Sequence, residues 1–293
     1  MGFDFRNDKL RQAVELAELN PQKYNPYELA ELTGLTYDQI VSGFRRAGKK
    51  HLLRSGRKQH RETSKLSERQ EYIPPPPDTT NVLIIGDVHV PFDLPGYLEF
   101  CVEQYKRWNC TWVIFSGDLV DFYNFSRFER DPDALSPSDE LDQVKEGIKR
   151  WYEAFPKADV CIGNHDIRVA KRAFSAGLPR RLIVSLQDLL DVPGWNFREK
   201  FYYDGIKYIH GDRGSAEGNM KKHLVSIVQG HMHPQAYVKW QQGETRNMFA
   251  MQIGCGIDAR KVAFDYAKDQ IVPVIGVGVI LDHGKIPLNV LMP

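Results

Sequence analysis

Residues 158–166 read ADVCIGNHD, and the reading of this stretch decides that of the chain. Val160, Cys161 and Ile162 form an apolar run too short for a helix and closed by Gly163, so the segment is expected to be a buried strand. An amide, an imidazole and a carboxylate follow at once, at Asn164, His165 and Asp166. Taken singly, a turn would account for them, since Asn and Asp favour turns and glycine admits unusual backbone angles. Upstream, however, NVLIIGD (81–87) and WVIFSGD (112–118) have the same form: an apolar run ending in Gly-Asp. Helical spacing fills the gaps, over 96–107 and 138–155. The order βαβαβ predicts a layered α/β core with a largely parallel sheet. From about residue 197 strands dominate, with hairpins expected to turn at Asp204-Gly205, Gln242-Gly243 and His283-Gly284.

Five loops at the ends of apolar strands carry polar chemistry: GDVH (86–89), GDLVD (117–121), GNHD (163–166), HGD (210–212) and GHMH (230–233). Ligands gather at the carboxyl ends of strands in such sheets, so chain reversals should bring these loops together. They hold five of the nine histidines, together with several aspartates. A group so rich in Asp and His fits a metal site better than a core. In extended backbone, residues two apart point the same way, which would pair Asp87 with His89 and His231 with His233.

The ordered set GD-x-H, GD-x-x-D, GNHD, H and GH-x-H resembles the calcineurin-like metallophosphoesterases, over about residues 82–260. The resemblance implies a four-layer α/β/β/α sandwich holding two divalent metals, manganese first, with iron or zinc as alternatives. Carried over residue by residue, it implies that Asp87, His89 and His233 hold one ion and Asn164, His210 and His231 the other, with Asp118 bridging them. Such a pair activates a water for attack on phosphorus. The resemblance also implies that His165 faces the leaving group as a general acid. Asp166 is then expected to orient that imidazole and raise its pKa. The second motif continues GDLVDFYNFSR (117–127) rather than with the Asp-Arg-Gly of the protein phosphatases, which argues against a phosphoprotein substrate. Asp121 reads as a hydrogen-bond acceptor behind the ligands. The insertion 122–137 offers Tyr123, Phe125 and Phe128 for base stacking and Arg127 and Arg130 for phosphates, or it packs its own aromatics. Arg168 either reaches a phosphate or lies on a helix surface.

The remainder is a small N-terminal part. Residues 1–50 read as an all-α, helix-turn-helix-like domain, 51–80 as a basic and Pro-rich linker containing IPPPPD (73–78), and 81–293 as the phosphoesterase domain. Asn25/Glu28 and Thr36/Gln39 have capping-box spacing, and Leu29, Leu32, Leu35, Ile40, Val41 and Phe44 are expected to face inward. Although the net charge is only +1, eight Lys or Arg and no acid lie between Arg45 and Arg61. Arg45, Arg46, Lys49 and Lys50 are therefore candidates to neutralise nucleic-acid phosphates, DNA first. A generic helical hairpin with a solvated basic tail is the alternative.

No apolar run approaches the ~20 residues of a membrane span, and no signal-peptide pattern opens the chain. Cys101, Cys110, Cys161 and Cys255 show neither zinc spacing nor close pairing and read as small buried residues in a reducing cytoplasm. These observations lead to three expectations. The first is a nuclease or end phosphatase acting on nucleic acid, the second a phosphoesterase of nucleotides or other small phosphoesters. The third is a non-enzymatic DNA-binding scaffold.

Overall fold

The computed structural model describes residues 8–21, 23–53, 81–126, 133–244, 246–261 and 272–293. The chain divides into two compact units, Met1–Glu71 and Tyr72–Pro293.

The first unit packs three helices, α1 (Asp8–Leu19), α2 (Pro26–Thr33) and α3 (Tyr37–Arg46). Both capping boxes form. The Glu28 amide donates to Asn25 Oδ1 at 3.1 Å while the Asn25 amide donates to Glu28 Oε2 at 2.8 Å. Thr36 and Gln39 make the same reciprocal pair at the start of α3. Each box satisfies amides that a helix start leaves without partners. Leu10, Ala13, Val14 and Ala17 of α1 bury against Leu29, Leu35, Ile40 and Phe44. Two inward assignments fail: Leu32 is exposed and Val41 is half-buried. Leu53 joins this core, so the helical part runs past residue 50. The remaining linker expected over 54–80, with its four prolines, lies outside the described residues.

In the second unit the strands and helices run β1 (Val82–Ile85), α4 (Tyr97–Arg107), β2 (Trp112–Phe115), α5 (Pro137–Ala154), β3 (Ala158–Cys161), α6 (Arg168–Ser175), α7 (Leu186–Leu190) and β4 (Trp195–Arg198). They continue β5 (Lys200–Tyr203), β6 (Ile206–Ile209), α8 (Ala216–His223), β7 (Ser226–Gln229), β8 (Tyr237–Gln242), β9 (Asn247–Gln252), β10 (Gly276–Leu281) and β11 (Ile286–Leu291). One sheet has the order β11-β10-β1-β2-β3-β4, the other β5-β6-β7-β9-β8. β1 to β4 are mutually parallel, as are β6, β7 and β9. The three expected hairpins form, as β5–β6, β8–β9 and β10–β11.

Side-chain alternation along buried strands creates the layers. Leu83 and Ile85 turn toward α4 and α5, packing with Tyr97, Phe100, Val144 and Trp151. Val82 and Ile84 turn the other way, against Val228, Phe249 and Met251 of the second sheet. Ile227 and Ala250 back onto Ala216 and Met220 of α8. The result is an α/β/β/α sandwich. One local feature escapes the sequence pattern: FREKFYY (197–203) looks like one continuous strand, yet β4 and β5 belong to different sheets and the chain crosses between them at Glu199.

Candidate metal centre

The parallel strands place the five polar loops at one edge of the sandwich. The loop backbones are unusual there. Asp87, His89, Asp118 and His231 all have positive φ, between 37° and 71°, a region that residues with a Cβ occupy at some cost in energy. Four such residues in one place mark a site whose surroundings over-determine it. Alternation in extended backbone is therefore the wrong account of the local spacings. The left-handed turns splay His231 away from His233, and the two join different groups.

Asp87, His89 and His233 form one group, with ligand atoms all within 4.8 Å of one another. Asp118, His210 and His231 form a second, and His89, Asp121 and His165 a third. Asn164 belongs with the second through its Oδ1, 3.1 Å from His210 Nε2. The structure thus brings together all seven side chains proposed as ligands. Close approach depends on glycine: a Cβ on Gly163 would lie 2.1 Å from Asp118 Oδ1, and one on Gly230 2.3 Å from Asp87 Oδ2.

The chemistry around His210 Nε2 tests whether a cation fits. Three atoms that carry lone pairs face this nitrogen at 3.1 Å: Asp118 Oδ2, Asn164 Oδ1 and His231 Nδ1. A ring nitrogen carries at most one hydrogen, so it can satisfy only one of them. His210 Nδ1 lies 3.1 Å from the Ser116 carbonyl, which holds its proton there, so Nε2 is the atom that a cation would take up by displacing the single proton shared among these three neighbours. Crowded N and O donors of this kind are what a divalent cation relieves, and the mixed set suits manganese, iron or zinc.

Electrostatics point the same way. Burial raises the Asp118 carboxyl, but His210 and His165 outweigh it and hold it well below the usual carboxylate range. Burial also lowers His210, yet the charge of Asp118 and the hydrogen bond to it lift the imidazole to about 10. His89 goes the other way, pushed down to about 4 by burial and by His165. Buried anions thus hold positive charge in their midst.

Asp166 differs from expectation. Its carboxylate does not orient His165; it accepts backbone amides from Gly163 at 2.7 Å, Asp118 at 3.0 Å and Val120 at 3.1 Å. It clamps the loop after β3 to the loop after β2, and the reason is simple: its two buried oxygens are occupied by the amides of both turns. Burial and the Asp118 charge push it up to about 6 despite those donors. The imidazole is held by Asp121, whose Oδ2 lies 3.0 Å from His165 Nδ1 and 2.7 Å from His89 Nδ1. Burial raises Asp121, but these two histidines outweigh it and keep the carboxyl far below its ordinary value.

Arg168 lies neither on an open helix surface nor free in the cleft. Its Nη1 donates to Asp121 Oδ1 at 2.9 Å and to the Asp121 carbonyl at 3.0 Å, while Nη2 lies 3.1 Å from His165 Nε2. Tyr123 is buried, which removes it as a stacking platform; Phe125 packs edge-on to Phe122. Arg127, Phe128 and Arg130 lie outside the described residues. In the first unit Arg45, Arg46 and Lys50 are exposed, whereas Lys49 pairs with Glu18. All four cysteines are free and buried.

Two features went unread in the sequence. Gln229 and Gln252, fully buried, hydrogen-bond to each other at 3.2 Å, and Gln252 Nε2 donates to the Gly230 carbonyl at 2.6 Å, supporting the GHMH turn from below. Their clue was amides inside apolar strands. The second is α6, which has no buried residue and forms one wall of a cleft of ≈590 Å³ beside Asn164, His165 and His231. Its clue was a stretch with five basic residues and no acid between Asp166 and Asp188.

Among the described residues no helix is long and apolar enough to cross a membrane. A search of curated proteins found no match. Among solved structures, the chain is similar to vacuolar protein sorting 29 of Cryptosporidium parvum, at 15% identity over 72% of this chain and 86% of that one, TM-score 0.37. It is similar to the E. coli phosphoesterase YfcE at 14% identity over 73% and 100%, TM-score 0.34. A metallophosphoesterase from Sphaerobacter thermophilus is similar at 12% identity over 73% and 88%, TM-score 0.38. The family profile described as calcineurin-like phosphoesterase matches residues 80–260, more than half of the chain and all five polar loops. The chain therefore belongs to the calcineurin-like phosphoesterases and is a metal-dependent phosphoester hydrolase.

Proposed function

We propose that this hydrolase carries two divalent metals, manganese in the first instance, and cleaves phosphoesters of nucleic acid, as a nuclease or an end phosphatase, with DNA as the favoured substrate. Asp87, His89 and His233 would hold one metal, and Asn164, His210 and His231 the other, with Asp118 shared. When bound, such a pair supplies a nucleophilic water at neutral pH and charge neutralisation on the phosphoryl oxygens. The binuclear reading is carried by the two separate ligand groups, Asp87/His89/His233 and Asp118/His210/His231, with the atoms crowded on His210 Nε2 in the second.

The chain's own residues then manage the leaving group. Asp121 fixes the His165 ring through Nδ1. A guanidinium only donates, so the Arg168 contact makes His165 Nε2 an acceptor in this geometry. An entering phosphoester would compete for that arm of Arg168, and the freed Nε2 would take up a proton from solvent and pass it to the departing oxygen. Burial lowers His165, but Asp118 and Asp121 together hold it above its ordinary pKa, which favours the acid form.

The nucleic-acid assignment rests on the exposed cations Arg45, Arg46 and Lys50 at the end of α3. Lys49, paired with Glu18, would contribute least. The test incubates the full chain with Mn²⁺ and end-labelled DNA and RNA, single- and double-stranded. Cleavage or loss of the end phosphate is expected. Turnover of mononucleotides with none on any polymer would contradict it. That second reading, a phosphoesterase of nucleotides or other small phosphoesters, is favoured by the cleft, whose ≈590 Å³ matches a single small ligand.

A further inference from the structure

The cleft beside His165 has a basic wall whose role in the reaction is open. α6 begins three residues beyond His165, and the segment running on from it to Val184 contains Arg168, Lys171, Arg172, Arg180 and Arg181 without an acid. Two of these five are engaged. Arg168 is turned inward on Asp121, and Arg172 donates to the Phe125 carbonyl at 3.2 Å and to that of Ser126. They fasten the wall in place. The other three point elsewhere: Lys171 and Arg181 are exposed and form no ion pair among the described residues, and the Arg180 guanidinium lies 5.0 Å from the centre of the Phe174 ring.

The same surface is apolar to a degree that a solvated wall does not need. Phe174, Leu178, Leu182 and Val184 are 40%, 46%, 65% and 62% exposed. Cations alternate with apolar groups, one of them aromatic, on α6, which lines the cleft through Lys171 and Ser175, and on the stretch that follows it directly in the chain. That combination matches the binding of single-stranded nucleic acid, in which cations track the backbone and aromatic or apolar faces receive unstacked bases. α6, eight residues and about 12 Å long, lines a cleft that leads to Asn164 and His165, which an extended strand can enter and a flat bilayer surface cannot.

Resting on the nucleic-acid reading above, we infer that α6 and the segment through Val184 form the docking platform for a single-stranded nucleic acid, with Lys171 and Arg181 on phosphates and Arg180 moving from the face of Phe174 to a third phosphate as a base stacks on that ring. The strand would enter along α6 and present its scissile phosphate at Asn164 and His165. Helix α3 would then contribute general affinity, and the platform the choice of unpaired strand.

The experiment compares the full chain with the triple variant Lys171→Ala, Arg180→Ala, Arg181→Ala, using a fluorescein-labelled oligothymidylate at several salt concentrations. Bis-p-nitrophenyl phosphate serves as the small substrate. Affinity for the oligonucleotide should fall about tenfold or more, and the slope of log K against log salt should fall by about 2, near 0.7 for each lost phosphate contact on a single strand. Turnover of the small ester should be unchanged in the double variant Arg180→Ala, Arg181→Ala, which keeps the cleft-lining Lys171, and Lys171→Arg should bind as wild type does. Unchanged affinity and slope would overturn the platform, as would a wild-type chain that binds no oligonucleotide. Loss of binding to anionic vesicles with oligonucleotide binding intact would overturn it in favour of a lipid surface. A wild-type chain that binds oligonucleotides but cleaves none sinks the substrate reading above; the variant comparison still decides the platform.

Discussion

The buried floor of the cleft and its exposed wall are built on opposite principles. On the floor, Asp87, Asp118, Asp121 and His210 are each almost wholly buried, and four residues hold left-handed backbone. Each side chain there has several partners, so none can move alone. Along the wall, α6 has no fully buried residue; Arg168 and Arg172 tie it to the floor, while Lys171 faces solvent. The floor gains its rigidity from a surrounding structure that compensates for backbone strain, and the wall can vary without disturbing it. On the reading proposed above, the contrast separates what fixes the chemistry from what would select the substrate.

Substitutions on the floor should be severe, and Asp118→Asn should be the most damaging. It removes the charge facing both groups, and turnover should fall on the order of 10³-fold or more, judging by the ~10²–10³ that one preorganised electrostatic contact supplies. Elemental analysis should show metal lost in parallel, and a folded variant that keeps metal and rate would dissolve the distinction drawn here. His165→Ala should retain metal yet lose about 10²–10⁴ in rate, more on alkyl than on p-nitrophenyl esters. Equal loss on both would remove the acid role and leave Arg168 without its proposed task.

Three milder changes sharpen the contrast. Gly163→Ala drives a methyl against Asp118 Oδ1, so it should destabilise by about 1–3 kcal/mol, as overpacking does, with loss of metal affinity read by titration. Gly177→Ala, just past α6, meets nothing within 4 Å but has positive φ, so it should lose about 1–2 kcal/mol of stability from backbone strain with metal affinity unaffected. Asp166→Asn keeps an acceptor but turns an amide nitrogen toward backbone N–H groups. Thermal unfolding should report a loss of about 1–3 kcal/mol, since a buried donor is left without a partner. A negligible change would show that the clamp between the two loops is dispensable.

Much of this was legible in the sequence, for local reasons. Capping boxes at Asn25 and Thr36, hairpins at Asp-Gly and His-Gly, and Gly-Asp ends on apolar runs all act within a few residues. What stayed hidden depends on chain segments distant in sequence. Whether Asp166 meets His165 or three amides is decided by where the loop after β2 lies, 46 to 48 residues away. The inward turn of Arg168 is decided by Asp121, 47 residues earlier. Leu32 fits a helical stripe but finds nothing to cover it. Positive φ at Asp87, His89, Asp118 and His231 leaves only a weak local mark, since Asp and His enter that region more readily than most residues with a Cβ but far less than glycine.

The central claim is that two cations occupy the floor, and anomalous scattering from crystals grown with manganese addresses it most directly. The expected map has two peaks, one enclosed by Asp87, His89 and His233 and one by Asn164, His210 and His231, with Asp118 reaching both. A map with no peak on the floor, or a single one held by His89, Asp121 and His165, would contradict the assignment of ligands and the chemistry built on it.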